Sequence, residues 1–400
     1  MNHQVQRYWA IICFTLVEIM CFSCNGCQGA STTGKSMVIT SEPLVRVLLS
    51  HASDDRPAVL ATTGTYKILD TAHRPVAQGD RLAPSRVTAT AEKITLGDRQ
   101  FSGGSLWLCP TGDSKVVVNS ITYYGNLHLL VNGTGKANGV NVVNMVPMEN
   151  YIACVLSGEM PLSWPDEALQ AQAIIARSYA LYEKIRNSER NFDVYDTVQS
   201  QVYPGIAVVN AHVNAIVTAT TGIVLFYRDQ PFKTFFHSTC GGYTANAAQV
   251  FGHTDITPLS GRPCPFCKES KYCDWQYEAD VGTLNLLVQD LKLIPPFVGL
   301  AIAQKDKYGR VLTIEVHFAG NRNKIVEAQQ IRLLLGAEKL RSTLFEMEAT
   351  PNSIIFHGKG WGHGVGLCQN GAAKMASEGF SALQIVEFYY PGAAAYRLWK

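Results

Sequence analysis

Two helical signatures meet across a break of only a few residues between Val146 and Arg186, and this fixes more of the fold than any other stretch. Pro147 suits a first helical turn, because its missing N–H would have no intrahelical partner there. Met148, Tyr151, Ile152, Val155 and Leu156 then share one face at helical spacing. Gly158 predicts the stop of that helix. Ser163 and Asp166, with Pro165 in the first turn, predict the start of the next. Leu169, Ala173, Ala176 and Ala180 form a narrow stripe that allows close packing. Glu159 is thereby assigned to a short connector pinned by two packed helices. Met160, Pro161 and Trp164 around it supply the desolvation that favours a protonated carboxyl.

Outside this stretch the pattern is of short strands. Leu44–Ser50, Val59–Leu69, Val116–Ile121, Leu127–Asn132 and Val140–Val146 read as strands, with a turn at Tyr124-Gly125-Asn126. Val208–Thr220 reads as a helix, and Ile223–Tyr227 with Phe232–Phe236 as a hairpin leading into His237. Leu284–Lys292 and Ile325–Leu335 read as helices, and Val311–Phe318 as a strand. Strands and helices without a regular βαβ period predict an α+β fold of mixed, mainly antiparallel strands with several helices. Hydrophobic residues at 47% and charged residues at 16% fit an ordered protein. A net charge of +2 without a dense basic tract gives no electrostatic case for nucleic acid.

Trp9–Ser23 is an apolar run broken only by Glu18, short for a spanning helix and fitting a signal-peptide core. Cys21 lies near its end and Cys24 and Cys27 follow it, so cleavage, retention as an anchor and lipid modification are all open. The expectation is export to the periplasm or cell envelope, with membrane contact only through this segment. Residues 1–24 are thus assigned as signal peptide or anchor and 25–43 as a linker. The run from Gly29 to Ser36 fits the phosphate-loop pattern GxxxxGK[ST], but it follows an export signal and Pro43 interrupts what comes next. It is read as a chance match.

The stretch around Glu159 resembles the stage II sporulation protein D (SpoIID/LytB) family, whose pattern is a vpLEdY-like helix, an EMP turn and an EALKAQAVAARTYA-like helix. Phe236-His237-Ser238-Thr239-Cys240-Gly241-Gly242 and His357–Gly366 with Gln369-Asn370-Gly371 extend the match in the same order. The resemblance implies a two-lobed catalytic region, assigned to residues 138–400 behind a β-rich region at 44–137. It implies a lytic transglycosylase of peptidoglycan glycan strands, acting in wall remodelling or division, with Glu159 as the catalytic acid. Such an enzyme cuts between N-acetylmuramic acid and N-acetylglucosamine and closes a 1,6-anhydro ring without water. One carboxylate then serves as acid and base in turn, which matters because the nearby Asp166 and Glu167 more naturally answer a helix dipole. Arg177, Trp164, His237, Ser238, His363 and Gln369 are the candidate substrate-binding residues. The glycine-dense segment around His363 and Trp361 is read as a glycan-contacting loop.

Two other functions stand beside this one. The family also implies a non-catalytic enhancer of a partner cell-wall amidase. A zinc hydrolase using His237 and His363 is the third, without an HExxH-type pair to support it. Cysteine offers a separate site. Cys264 and Cys267 form a CxxC, Cys273 follows, and Cys240 lies upstream; these four predict a closed structural zinc site, with His237 in reserve. Disulfides compete with that reading in an exported protein. Cys154 and Cys368 read as buried apolar positions.

Overall fold

The computed structural model describes residues 41–52, 57–132, 139–291, 297–320 and 322–400. The apolar segment expected to direct export, the expected linker up to residue 40 and the phosphate-loop-like run lie outside the described residues. Among the described residues, no helix is long and apolar enough to cross a membrane.

The architecture is α+β with mainly antiparallel sheets, and the chain divides into two compact units. The first contains the described residues from 41 to 158, Ala180–Pro231 and Ala394–Lys400. A seven-stranded sheet runs, in spatial order, through Val194–Tyr195, Leu44–Ala52, Gly139–Pro147, Asn126–Asn132, Ser105–Pro110, Tyr66–Leu69 and Pro75–Gly79. Alternation along these strands puts Leu127, Leu129 and Val142 fully inside, as a sheet with one buried face requires. Leu44–Ala52 and Gly139–Pro147 pair antiparallel, Leu44 opposite Pro147. The expected boundary near residue 138 therefore cuts through one sheet, because Gly139–Pro147 pairs on both sides with strands that precede that point, Leu44–Ala52 and Asn126–Asn132. A second, six-stranded sheet includes a hairpin of Val116–Val118 with Ile121–Tyr123. Asn119 and Ser120 both take left-handed backbone there, the signature of a tight two-residue hairpin turn. The single strand expected over Val116–Ile121 is thus two.

The first predicted helix forms over Met148–Glu159 and the second over Asp166–Arg186. Gly158 does not stop the first; it lies inside it. A Cβ there would sit 2.9 Å from the carbonyl oxygen of Val202, so close approach is what favours glycine.

The second unit comprises Glu159–Tyr179 and Phe232–Ala393. Part of it is a self-contained core: Asp274–Asp280, Ser353–Lys359 and Phe345–Ala349 form one antiparallel sheet, and Phe297–Lys305, Val311–Phe318 and Arg322–Glu327 another. The Val281–Asp290 and Ala328–Leu335 helices add Leu287 and Ile331 to the cluster around Ile314, Val316 and Phe356. The helix expected from Ile325 starts later, since Ile325 and Val326 pair in a strand with Glu315 and Ile314.

The remainder of this unit is held by short pairings between distant segments. Phe236–His237 runs parallel to Leu367–Cys368. Thr239 bridges Trp361, and Ala245 bridges Val365. The hairpin expected between Ile223–Tyr227 and Phe232–Phe236 is not formed. Ile223–Tyr227 turns back through Arg228 and Asp229, both left-handed, onto Gln230–Pro231.

Candidate functional site

Glu159 is the last residue of its helix and is half-buried. Met160 behind it is buried, and the backbone N–H of Trp164 donates to the Pro161 carbonyl, which closes the turn before the next helix. The Trp164 indole is half-buried on this turn. From the far end of the unit, Gln369 reaches the same place. Its Nε2 donates to the backbone carbonyl of Glu159 at 3.1 Å and approaches Gln172 Oε1 at 3.5 Å. With 7% of its surface exposed, Gln369 tethers the turn and is not placed as a substrate contact. Its neighbour Asn370 donates through Nδ2 to the Ser238 carbonyl and to Thr239 Oγ1. These two adjacent amides connect the Glu159 turn to the end of the Phe236–His237 strand.

The other carboxylates nearby divide sharply. Asp166 is exposed in the first turn of its helix. Glu167 is committed elsewhere: its Oε2 accepts from the N–H of Ala382 and so caps the start of the Ala382–Tyr389 helix.

Arg177, expected as a substrate-binding or site-organising residue, has no exposed surface, and its Nη1 donates to the Ala173 carbonyl at 3.4 Å. That burial favours the organising role.

His237 and His363 come together, with ring centroids 5.6 Å apart. Nδ1 of His237 donates to the Val365 carbonyl, so its Nε2 carries the lone pair and is buried without a partner. Burial, reinforced by the Arg310 charge, pushes the pKa of His237 down to about 3; it is neutral at ordinary pH and not a proton donor. His363 accepts the Val365 N–H on Nδ1, and burial followed by the His237 charge moves its pKa in the same direction. The two rings thus both engage Val365, His237 through its carbonyl and His363 through its N–H. Ser238 is half-buried, with its carbonyl taken by Asn370.

The glycine-dense segment packs closely. A Cβ on Gly362 would meet His237 at 2.7 Å, and one on Gly364 would meet the Arg310 guanidinium at 2.5 Å. Trp361 stacks edge-on with Tyr272 and faces the Arg341 guanidinium. The glycines let this segment lie directly against the His237 strand and a buried arginine, which accounts for them by packing, while Trp361 and His363 stay half-buried.

The cysteines converge, but in a different set from the predicted one. Among the described residues, Sγ atoms of Cys240, Cys264, Cys267 and Cys368 all lie within 4.8 Å of one another, and all four residues are buried. Cys273 is excluded. Its N–H closes a turn on the Ser270 carbonyl and its own carbonyl accepts from Gly360, which carries the chain away into the Asp274–Asp280 strand. Cys368 takes its place because the parallel pairing sets it opposite His237. Nothing local in the sequence marks that residue, roughly a hundred positions after the CxxC. Sequence reasoning also missed Arg310, which is 2% exposed and donates through Nη2 to the Cys240 carbonyl.

Known proteins resemble this chain over much of its length. Residues 136–227 match the stage II sporulation protein D family, and residues 268–366 match a domain of unknown function, DUF8618. An uncharacterized protein of Brachyspira hyodysenteriae is 34% identical over 278 residues, covering 69% of this chain and 72% of that protein. Stage II sporulation protein D of Bacillus subtilis is 31% identical over 62% of this chain and 74% of its own length. The amidase enhancer of the same organism is 26% identical over 60% of this chain but only 39% of its own. The motifs around Glu159, His237 and His363, the α+β architecture and these similarities converge: the chain belongs to the SpoIID/LytB family.

Proposed function

We propose that this protein is an exported lytic transglycosylase of peptidoglycan, cleaving the bond between N-acetylmuramic acid and N-acetylglucosamine in cell-wall remodelling. The observation that carries the reading is one half-buried carboxylate held at a helix end. Glu159 sits in a turn tethered by Gln369, Glu167 is occupied as a helix cap, and Asp166 is exposed in the first turn of the next helix. A hydrolase that activates water needs a second carboxylate across the bond, a role that neither neighbour's placement favours. One carboxyl suffices for the anhydro reaction. It gives its proton to the glycosidic oxygen as the bond to C1 breaks. The C6 hydroxyl then bonds to C1 and returns a proton to the carboxylate. No water is consumed, and the acid is regenerated.

Products of glycan-strand digestion should accordingly end in 1,6-anhydro-N-acetylmuramic acid. Digestion in heavy-oxygen water, read by mass spectrometry, should leave them unlabelled; label at a reducing end would mean hydrolysis and overturn the mechanism.

Gln369 is a positioning residue in this scheme. Replacing it by Met keeps the length but removes the donor to the Glu159 carbonyl, and a small misplacement of a catalytic group is costly. Turnover should fall by about 10-fold or more with KM little changed. An unchanged kcat would show that the tether has no part in placing Glu159.

Similarity to an amidase enhancer supports a second reading, in which the protein binds glycan and stimulates a partner amidase. Purified protein that releases no anhydro product, yet raises the rate of an added cell-wall amidase, would favour it.

A further inference from the structure

We infer that Cys240, Cys264, Cys267 and Cys368 bind one zinc ion, as a closed tetrathiolate that locks the segment positioning Glu159. A tetrahedral zinc–thiolate centre, with Zn–S near 2.3 Å, sets its sulfurs about 3.8 Å apart. Four sulfurs mutually within 4.8 Å already approach that arrangement. Two disulfides would require two pairs, not the convergence of all four thiols on one point.

The surroundings are built for thiolates. The N–H of Cys240 donates to Cys368 Sγ at 3.3 Å, and the N–H of Gly371 does so at 3.4 Å. The Tyr389 hydroxyl lies 3.3 Å from Cys264 Sγ. Donors of this kind are the usual outer shell of a metal–sulfur site. Cys368 is also the N-cap of the Gln369–Ser377 helix, where the positive end of the helix dipole favours an anionic sulfur.

Charge gives an independent argument. Arg310 is buried beside Cys240 with its Nη1 lacking any hydrogen-bond partner. A buried cation is expensive unless its charge is balanced, and here the Asp306 carboxylate, whose Oδ1 already accepts the backbone N–H groups of Tyr308 and Arg310, balances it only in part. Loading the site releases four protons from four thiols, and one divalent ion with four thiolates carries a net charge of −2. That charge falls next to the guanidinium. Soft sulfur ligands in a tetrahedron select zinc over magnesium, calcium or manganese.

With four protein ligands no position is open for substrate, so the ion is structural. It joins three segments distant in sequence: the end of the His237 strand, the CxxC turn, and the residue immediately before Gln369. The metal would thereby fix the amide that holds the Glu159 carbonyl.

Metal analysis of the full chain, purified under reducing conditions without chelator, should find about one zinc per protein. Cys368→Ser should lose most of it, whereas Cys273→Ser should retain it. Should Cys368→Ser not fold, cobalt substitution of the unaltered protein gives the same answer: intense sulfur-to-metal absorption that survives Cys273→Ser supports four cysteines with Cys368 among them. Metal-free folded protein, mapped disulfides among these four thiols in the native chain, stoichiometric iron, or metal lost with Cys273→Ser would each overturn the assignment. None of these readouts uses glycan cleavage, so the site stands or falls separately from the proposed activity.

Discussion

Glu159→Gln is expected to reduce glycan cleavage by about 100-fold or more, with the unfolding midpoint and glycan binding close to those of the unaltered protein. The amide keeps the size of the side chain and can still accept and donate hydrogen bonds at the helix end. It cannot give a proton to a leaving oxygen and recover it. Glu167→Ala provides the contrast. Because Glu167 caps the Ala382–Tyr389 helix, its loss should cost about 1 kcal/mol of stability while leaving the cleaved bond and its anhydro product unchanged. The two substitutions thus separate a proton-transfer role from a structural one in neighbouring carboxylates. Near-normal turnover in Glu159→Gln would remove the glutamate from the chemistry, and the enhancer reading would then gain. Collapse of its fold would make it a structural residue.

Why Glu159 was legible in the sequence, while much around it was not, follows from the range of the forces involved. The helices flanking it are encoded locally, by apolar spacing, capping residues and a proline in the first turn, and they form almost where the pattern puts them. The strands of the first sheet are likewise written in alternation, as at Leu127 and Leu129. Gly158 was misread because its reason lies elsewhere in the chain, in the carbonyl of Val202. Ile325 was misread because an apolar run shorter than a helix fits a strand equally well, and pairing with Val311–Phe318 decides. The cysteine site shows the same limit more strongly. A CxxC announces itself, and Cys273 reads as its partner ligand only because it is near in sequence. Cys368 arrives through a two-residue parallel pairing that no local pattern encodes. Gln369, expected to bind substrate, and Arg177, expected to bind substrate or organise the site, are both buried; family resemblance identifies such positions without saying whether they contact a ligand or hold the residue that does.

Gly366→Ala should be among the most damaging single substitutions in the second unit. The residue takes left-handed backbone, with φ of 71°, which an alanine adopts at a cost of about 1–2 kcal/mol. The larger obstacle is space. Its Cβ would lie 1.9 Å from the Phe235 carbonyl oxygen and 2.9 Å from the Tyr390 hydroxyl. Neither neighbour can easily give way. The Phe235 carbonyl accepts from both Leu367 N–H and the Tyr390 hydroxyl, and that hydroxyl also accepts from Leu367 N–H. Relieving the overlap means opening the pairing of Phe236–His237 with Leu367–Cys368, so the overpacking and strain together should destabilise by about 3–5 kcal/mol. Gly299 is the internal control: a Cβ there meets nothing within 4 Å, and Gly299→Ala should change stability by no more than about 0.5 kcal/mol. Denaturant unfolding of both variants decides it. Because the same pairing delivers Cys368 to the other three cysteines, Gly366→Ala should also release metal from the cluster before the neighbouring core around Phe356 unfolds. Equal stability of the two alanine variants would mean that the backbone at Gly366 yields more readily than its contacts allow, and the link from this glycine to the Glu159 turn would be lost with it.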